Sequence, residues 1–131
     1  MFTRRQCLLL PLLLPSLAGA TTTLPEAMQR ARALRDEAVR AGDQPYGAVL
    51  LRGTQFVGEA PSRVITRRDS SAHAEREAIR DALQRQGGGD LADCVLVSTS
   101  RPCSLCEAAA AKARIARMVH GDALTDAGPP A

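Results

Sequence analysis

Three observations predict an α/β fold with a mixed sheet between helices. Apolar residues recur at helical spacing from Thr21 to Asp43 and again from Ala72 to about Arg85. The unbroken apolar run Cys94-Val95-Leu96-Val97 requires cover on both faces, as in a central strand. The order helix, hairpin, helix, strand, helix, strand, without internal repeat or linker, lays helices against a sheet in three α/β/α layers.

The first helix has start and stop signals. Thr23 and Glu26 stand at capping-box spacing, Pro25 is tolerated in the first turn, Ala27, Ala31, Leu34 and Ala38 line one face, and Gly42 stops it. Gln44-Pro45 breaks the pattern. Tyr46 to Leu51 and Gln55 to Ala60 then read as two strands of a hairpin turning at Arg52-Gly53-Thr54 and ended by Pro61, with Tyr46 and Phe56 as core aromatics.

Asp69-Ser70-Ser71 reads as the cap of the second helix, which the triple glycine 87–89 stops. On it, Glu77 and Arg80 read as a solvated pair. Pro102 starts a third helix from Cys103 to about Arg114, Ile115 to His120 is a last strand, and Gly121 to Ala131 reads as a frayed tail.

Composition bounds the rest. At 131 residues the chain makes one domain, and with 45% apolar but only 2% aromatic residues its core is built from Ala, Leu, Val and Ile. Residues 1–20 stand outside that domain. Arg4 and Arg5, a Leu-rich run from Cys7 to Leu17 and Ala18-Gly19-Ala20 form the three parts of a cleavable export signal. Thr3-Arg4-Arg5-Gln6-Cys7-Leu8-Leu9 resembles a twin-arginine signal, an ordinary Sec signal being the alternative. The run is short and broken by Pro11 and Pro15, which argues against a permanent membrane anchor.

Cleavage leaves residues 21–131 and a periplasmic or secreted location. Losing Arg4 and Arg5 takes the net charge from +3 to +1, which disfavours a nucleic-acid partner. Arg63, Arg67 and Arg68 are the densest basic group and read as a solvated loop. Cys94, Cys103 and Cys106 remain, an odd set that argues against a disulfide framework; Cys94 reads as inert packing. Export of an already folded chain would let a metal occupy Cys103 and Cys106 before they meet an oxidising compartment.

Two stretches carry the chemistry, Ala72-His73-Ala74-Glu75 and Arg101-Pro102-Cys103-Ser104-Leu105-Cys106. Cys103 and Cys106 lie three apart on one helix face, so one ion can take both sulfurs, and His73 supplies an imidazole. Three such ligands suit Zn²⁺ with its fourth position open to water. Glu75 stands beside that position as a proton carrier, so the expected chemistry is hydrolytic. A redox pair at Cys103 and Cys106, and a closed structural zinc site with His120 as fourth ligand, are the other readings.

The H-x-E and P-C-x-x-C pattern of these stretches resembles the cytidine deaminase superfamily of zinc deaminases. Pro45-Tyr46-Gly47-Ala48-Val49 and Ala72-His73-Ala74-Glu75-Arg76-Glu77-Ala78-Ile79-Arg80 resemble most its guanine deaminase and tRNA adenosine deaminase branch, over about residues 26 to 120. The resemblance implies a cytidine deaminase-like fold, zinc on His73, Cys103 and Cys106, a zinc-bound water as nucleophile, Glu75 as proton shuttle, and ammonia released from a small-molecule base or nucleoside. It also implies a homodimer and places the backbone around Ala48 near the base. Ser62 stands where the branch carries a substrate-contacting Asn, and Arg101 where an acidic residue is common. A non-catalytic zinc-binding domain of the same fold is the alternative function.

Overall fold

The structure, a computed structural model, describes residues 21–131. The expected signal over 1–20, and with it the export route, lies outside the described residues. Among these, no helix is long and apolar enough to cross a membrane.

Helix α1 (Leu24–Arg40) starts as its capping residues dictate, with the Thr23 hydroxyl accepting from the Glu26 amide at 3.3 Å. Strands β1 (Gly47–Arg52) and β2 (Gln55–Pro61) form the expected hairpin. Helix α2 (Ala74–Gln86) stops at Gly87, whose φ of 78° lies in the left-handed region that glycine tolerates. Strand β3 (Cys94–Ser98), helix α3 (Ser104–Lys112) and strand β4 (Arg117–His120) follow.

The segment expected to fray instead turns at Gly121 and returns as β5 (Thr125–Gly128), paired antiparallel with β4 and tied by an Arg117–Asp126 ion pair. Its residues Thr-Asp-Ala-Gly carry no apolar alternation. They form a largely exposed edge strand, held by backbone pairing rather than by a buried face.

The sheet order is β2-β1-β3-β4-β5. β1 runs antiparallel to both neighbours and β3 pairs parallel with β4, so β2 and β3 point the same way across β1. Successive residues of the central strands face opposite sides. Ala48, Leu50, Cys94, Leu96 and Met118 pack with Ala78, Ala82 and Ala110 under α2 and α3. Val49, Leu51, Val97 and Val119 pack on the other face with Ala27, Met28, Ala31 and Leu34 of α1. These two half-cores are the three predicted layers. Cys94 is buried packing as expected, and burial pushes its thiol up.

A core of small residues brings backbones close. A Cβ added to Gly47 would come within 2.1 Å of the Ala31 carbonyl oxygen, and one on Gly58 within 2.6 Å of the Ala78 carbonyl oxygen. These two glycines set the spacing of α1 and α2 from the hairpin. The expected core aromatics are not in that core: Tyr46 and Phe56 are 40% and 39% exposed. Alanine-width gaps between helix and sheet leave no room for rings.

Loop 62–73, which leads from β2 into α2, is clamped from two sides. The Asp43 carboxylate accepts from the Ser62 hydroxyl at 3.0 Å, from the Gln44 amide at 2.8 Å and from the Thr66 amide at 2.8 Å. Burial opposes its charge, but the Thr66, Gln44 and Ser62 hydrogen bonds outweigh that and hold the carboxyl at about 2.

The second clamp is Glu77, which is 3% exposed rather than solvated. Arg67 reaches its Oε2 at 2.9 Å and Arg63 at 3.5 Å, while Arg80 faces Oε1 at 3.3 Å without the alignment of a hydrogen bond. Two of the three loop arginines are therefore engaged with this carboxylate.

Two outcomes are expected. Gly47→Ala should destabilise the fold by about 1–3 kcal/mol through overpacking against α1, read as a lower urea midpoint; an unchanged midpoint would contradict the close approach. Asp43 has a folded pKa below its unfolded value, so its contribution is complete above about pH 4 and lost as pH falls through about 2. Stability of the parent should thus fall more steeply from pH 4 to 2 than that of Asp43→Asn, measured by urea unfolding at each pH.

Candidate metal centre and active site

Because β2 and β3 run parallel, their carboxyl ends lie at one end of the sheet, and the helices that follow both begin there. His73 is the residue immediately before α2 and Cys103 the one before α3. Each holds the N-cap position with extended backbone, one residue earlier than the first turn expected from sequence. Neither side chain makes a capping hydrogen bond. Both are turned into the space between the helices. Asp69, expected to cap α2, binds the Ser71 amide and hydroxyl in its own turn instead.

His73, Cys103 and Cys106 converge there. His73 Nδ1 lies 3.6 Å from Cys103 Sγ and 3.4 Å from Cys106 Sγ, and the sulfurs are 3.6 Å apart. A tetrahedral zinc about 2.3 Å from sulfur and about 2.0 Å from nitrogen spaces its ligand atoms roughly 3.5–3.8 Å apart. The donor set and its spacing therefore fit zinc. Burial pushes the Cys106 thiol far up, with Glu75 and Cys103 adding to the effect, so a cation is needed to hold this sulfur as thiolate. His120 is not in the group: among the described residues the only such cluster is His73, Cys103 and Cys106, which leaves a fourth position without a protein ligand.

Glu75 sits on the second residue of α2, 5% exposed, beside this group. Its Oε2 is 3.6 Å from Cys106 Sγ, and its Oε1 accepts from the Ser98 hydroxyl at 2.9 Å. Ser98 closes β3 and also reaches the Ser100 carbonyl oxygen. The sequence signal for Ser98 is a hydroxyl at the carboxyl end of an apolar strand.

A cavity of about 280 Å³ opens over the site, walled by Gln44, Tyr46, His73, Glu75, Ser100, Arg101 and Cys103. Its two rims come from the segments before β1 and after β3. Gly47 and Thr99 join them, the Gly47 amide donating to Thr99 Oγ1 at 3.2 Å and the Thr99 amide to the Gly47 carbonyl at 3.1 Å. Tyr46 is thus a wall residue rather than core.

The two remaining sequence candidates do not line this cavity. Ala48 is fully buried in the sheet opposite Ala60 and Ser98, and the Ser62 side chain is buried against Asp43.

Comparison with known proteins adds to this geometry. The cytidine and deoxycytidylate deaminase zinc-binding region matches residues 21–122. Guanine deaminase of Bacillus subtilis is 37% identical over 101 residues, 76% of this chain and 65% of that protein. The tRNA(Ile)-lysidine synthase of Deinococcus radiodurans is 38% identical over 114 residues, 86% of this chain and 20% of that protein. The chain thus spans a fifth to about two thirds of the length of these curated relatives. Among solved structures, a tRNA:A34 deaminase superposes with a TM-score of 0.69 at 32% identity, covering 72% of each chain. The B. subtilis guanine deaminase structure gives 0.69 at 35% identity, covering 72% of this chain and 61% of that one. With the fold and the three-donor group in agreement with these matches, the chain belongs to the cytidine and deoxycytidylate deaminase zinc-binding family.

Proposed function

We propose that this protein is a zinc-dependent hydrolytic deaminase that releases ammonia from an amino-substituted base or nucleoside. The observation that carries the reading is the position of Glu75, a buried carboxylate at the cavity wall that lies beside the His73, Cys103 and Cys106 donors without belonging to them. Zinc held by those three residues would supply a Lewis acid able to bring the pKa of water toward about 7.

The protein's own residues do the rest. Ser98 occupies Glu75 Oε1, which leaves Oε2 turned toward the donors. That oxygen accepts one proton from the attacking water and gives it to the ring nitrogen. It then takes the second proton from the hydroxyl of the tetrahedral adduct and gives it to the amine, which leaves as ammonia as the C–N bond breaks and the carbonyl forms. One carboxylate works in both directions. Tyr46 offers an aromatic face at the rim, and Gln44, Ser100 and Arg101 offer polar groups for the edges of a heterocycle.

A small molecule is favoured over a nucleic acid. The net charge of residues 21–131 is near zero, and Arg63 and Arg67 are already paired with Glu77. We further propose residues 21–131 as the working domain, exported by the segment 1–20 and assembled as a homodimer.

Purified protein should carry about one zinc per chain and release ammonia from at least one of guanine, adenine, cytosine and their nucleosides. Glu75→Gln should keep the metal and lower the rate about 10²–10⁴-fold. A zinc-loaded parent that releases no ammonia from any of these would favour the non-catalytic zinc-binding domain.

A further inference from the structure

A carboxylate is itself a competent zinc ligand. Glu75 Oε2 lies 3.6 Å from Cys106 Sγ, as near to that sulfur as Cys103 Sγ is. Glu75 stands beside the donor group and outside it, and turning its carboxylate toward the other donors would make it a fourth protein ligand. The site would then be closed, with no place for water and no carboxylate free to carry a proton. Something must hold Glu75 back.

Among the described residues, Ser98 alone hydrogen-bonds to Glu75 Oε1. Ser98 is fully buried at the end of a central strand and cannot move with a loop. Its backbone is fixed on both sides: it pairs with Ala48 across β1 and with His120 across β4, and its carbonyl accepts from the Gly121 amide at 3.0 Å. The 2.9 Å bond to Oε1 therefore ties the carboxylate to a central strand paired on both sides. The Ser100 carbonyl oxygen is a second acceptor within reach of the same hydroxyl, whose one proton serves one acceptor at a time, and the tie to Glu75 is made when that proton points to Oε1.

We propose that Ser98 is a positioning residue that keeps Glu75 out of the ligand set, so that three protein ligands and not four hold the metal. The consequence for turnover rests on the deaminase reading above; the effect on ligand number does not. The Ser98 hydroxyl draws Oε1 toward β3 and leaves Oε2 on the side of the donors, next to Cys106. Without that hydroxyl, the buried carboxylate has only a thiol for company, and a cation beside it becomes its best partner.

The test uses the cobalt(II)-loaded full chain, whose visible absorption reports ligand number and geometry, with thiocyanate as the added ligand. The parent should bind thiocyanate with a change in the spectrum. Ser98→Ala, which adds no atoms to the buried site, should bind it at least about tenfold more weakly, because Glu75 fills the position. Ser98→Thr should keep the parent behaviour, and Ser98→Ala combined with Glu75→Gln should regain it, a carboxamide being a poorer ligand. In the zinc protein, kcat of Ser98→Ala should fall about 10–100-fold with KM little changed.

Should Ser98→Ala not fold, judged by circular dichroism, Ser98→Gly carries the same comparison. Parent-like thiocyanate binding by the hydroxyl-less variant would overturn the proposal, as would Ser98→Thr behaving like Ser98→Ala. A parent that loads neither cobalt nor zinc would overturn the metal centre and this role with it. A parent that loads metal and binds thiocyanate yet releases no ammonia would overturn the deaminase reading alone.

Discussion

The structure depends on β2 and β3 running in the same direction on either side of β1. That arrangement sends the chain out of the sheet twice at the same end, and each time it enters a helix whose N-cap side chain turns into the space between the two helices. His73 and Cys103, 30 residues apart in sequence, are brought to 3.6 Å by this alone. The N-terminal ends of both helices meet at this point.

This use of helix ends costs local stability. An N-cap side chain that bonds the first amides contributes typically about 1 kcal/mol, and neither His73 nor Cys103 does so. Their side chains are given over to the site. The loss is offset nearby, where Asp43 and Glu77 clamp the loop that delivers His73. Asp43 joins the end of α1 to the Ser62–Thr66 turn, and Glu77 joins α2 to Arg63 and Arg67. The same Asp43 precedes Gln44 and Tyr46, so the cavity wall and the loop beneath it share one buried anchor.

The small-residue core serves the same end. Gly47 lies against α1 and Gly58 against α2, so both helices sit close to the hairpin. Large aromatic side chains are excluded by that spacing, which is why Tyr46 stands at the cavity rim. The gap between the starts of α2 and α3 is left narrow enough for three donors to meet, with Ser98 beneath them at the end of β3.

Much of this was legible in the chain. Helical periodicity, the Thr23 cap, the glycine and proline breaks and the short apolar runs placed seven of the eight elements within three residues, because each signal is local. The metal donors were legible too, since the spacing of Cys103 and Cys106 on one helix turn is a local fact and His73-x-Glu75 sits at a second helix start. Tertiary structure decided what depended on distant partners. Glu77 looked solvated until the loop arginines closed over it, and Asp69 looked like a cap until the turn claimed it. The strand Thr125–Gly128 carries no pattern of its own and exists because β4 offers it an edge. Ser98 is one hydroxyl among many in sequence, and only the parallel run of β2 and β3 sets it against Glu75, where it makes a single buried hydrogen bond to the carboxylate beside the three donors.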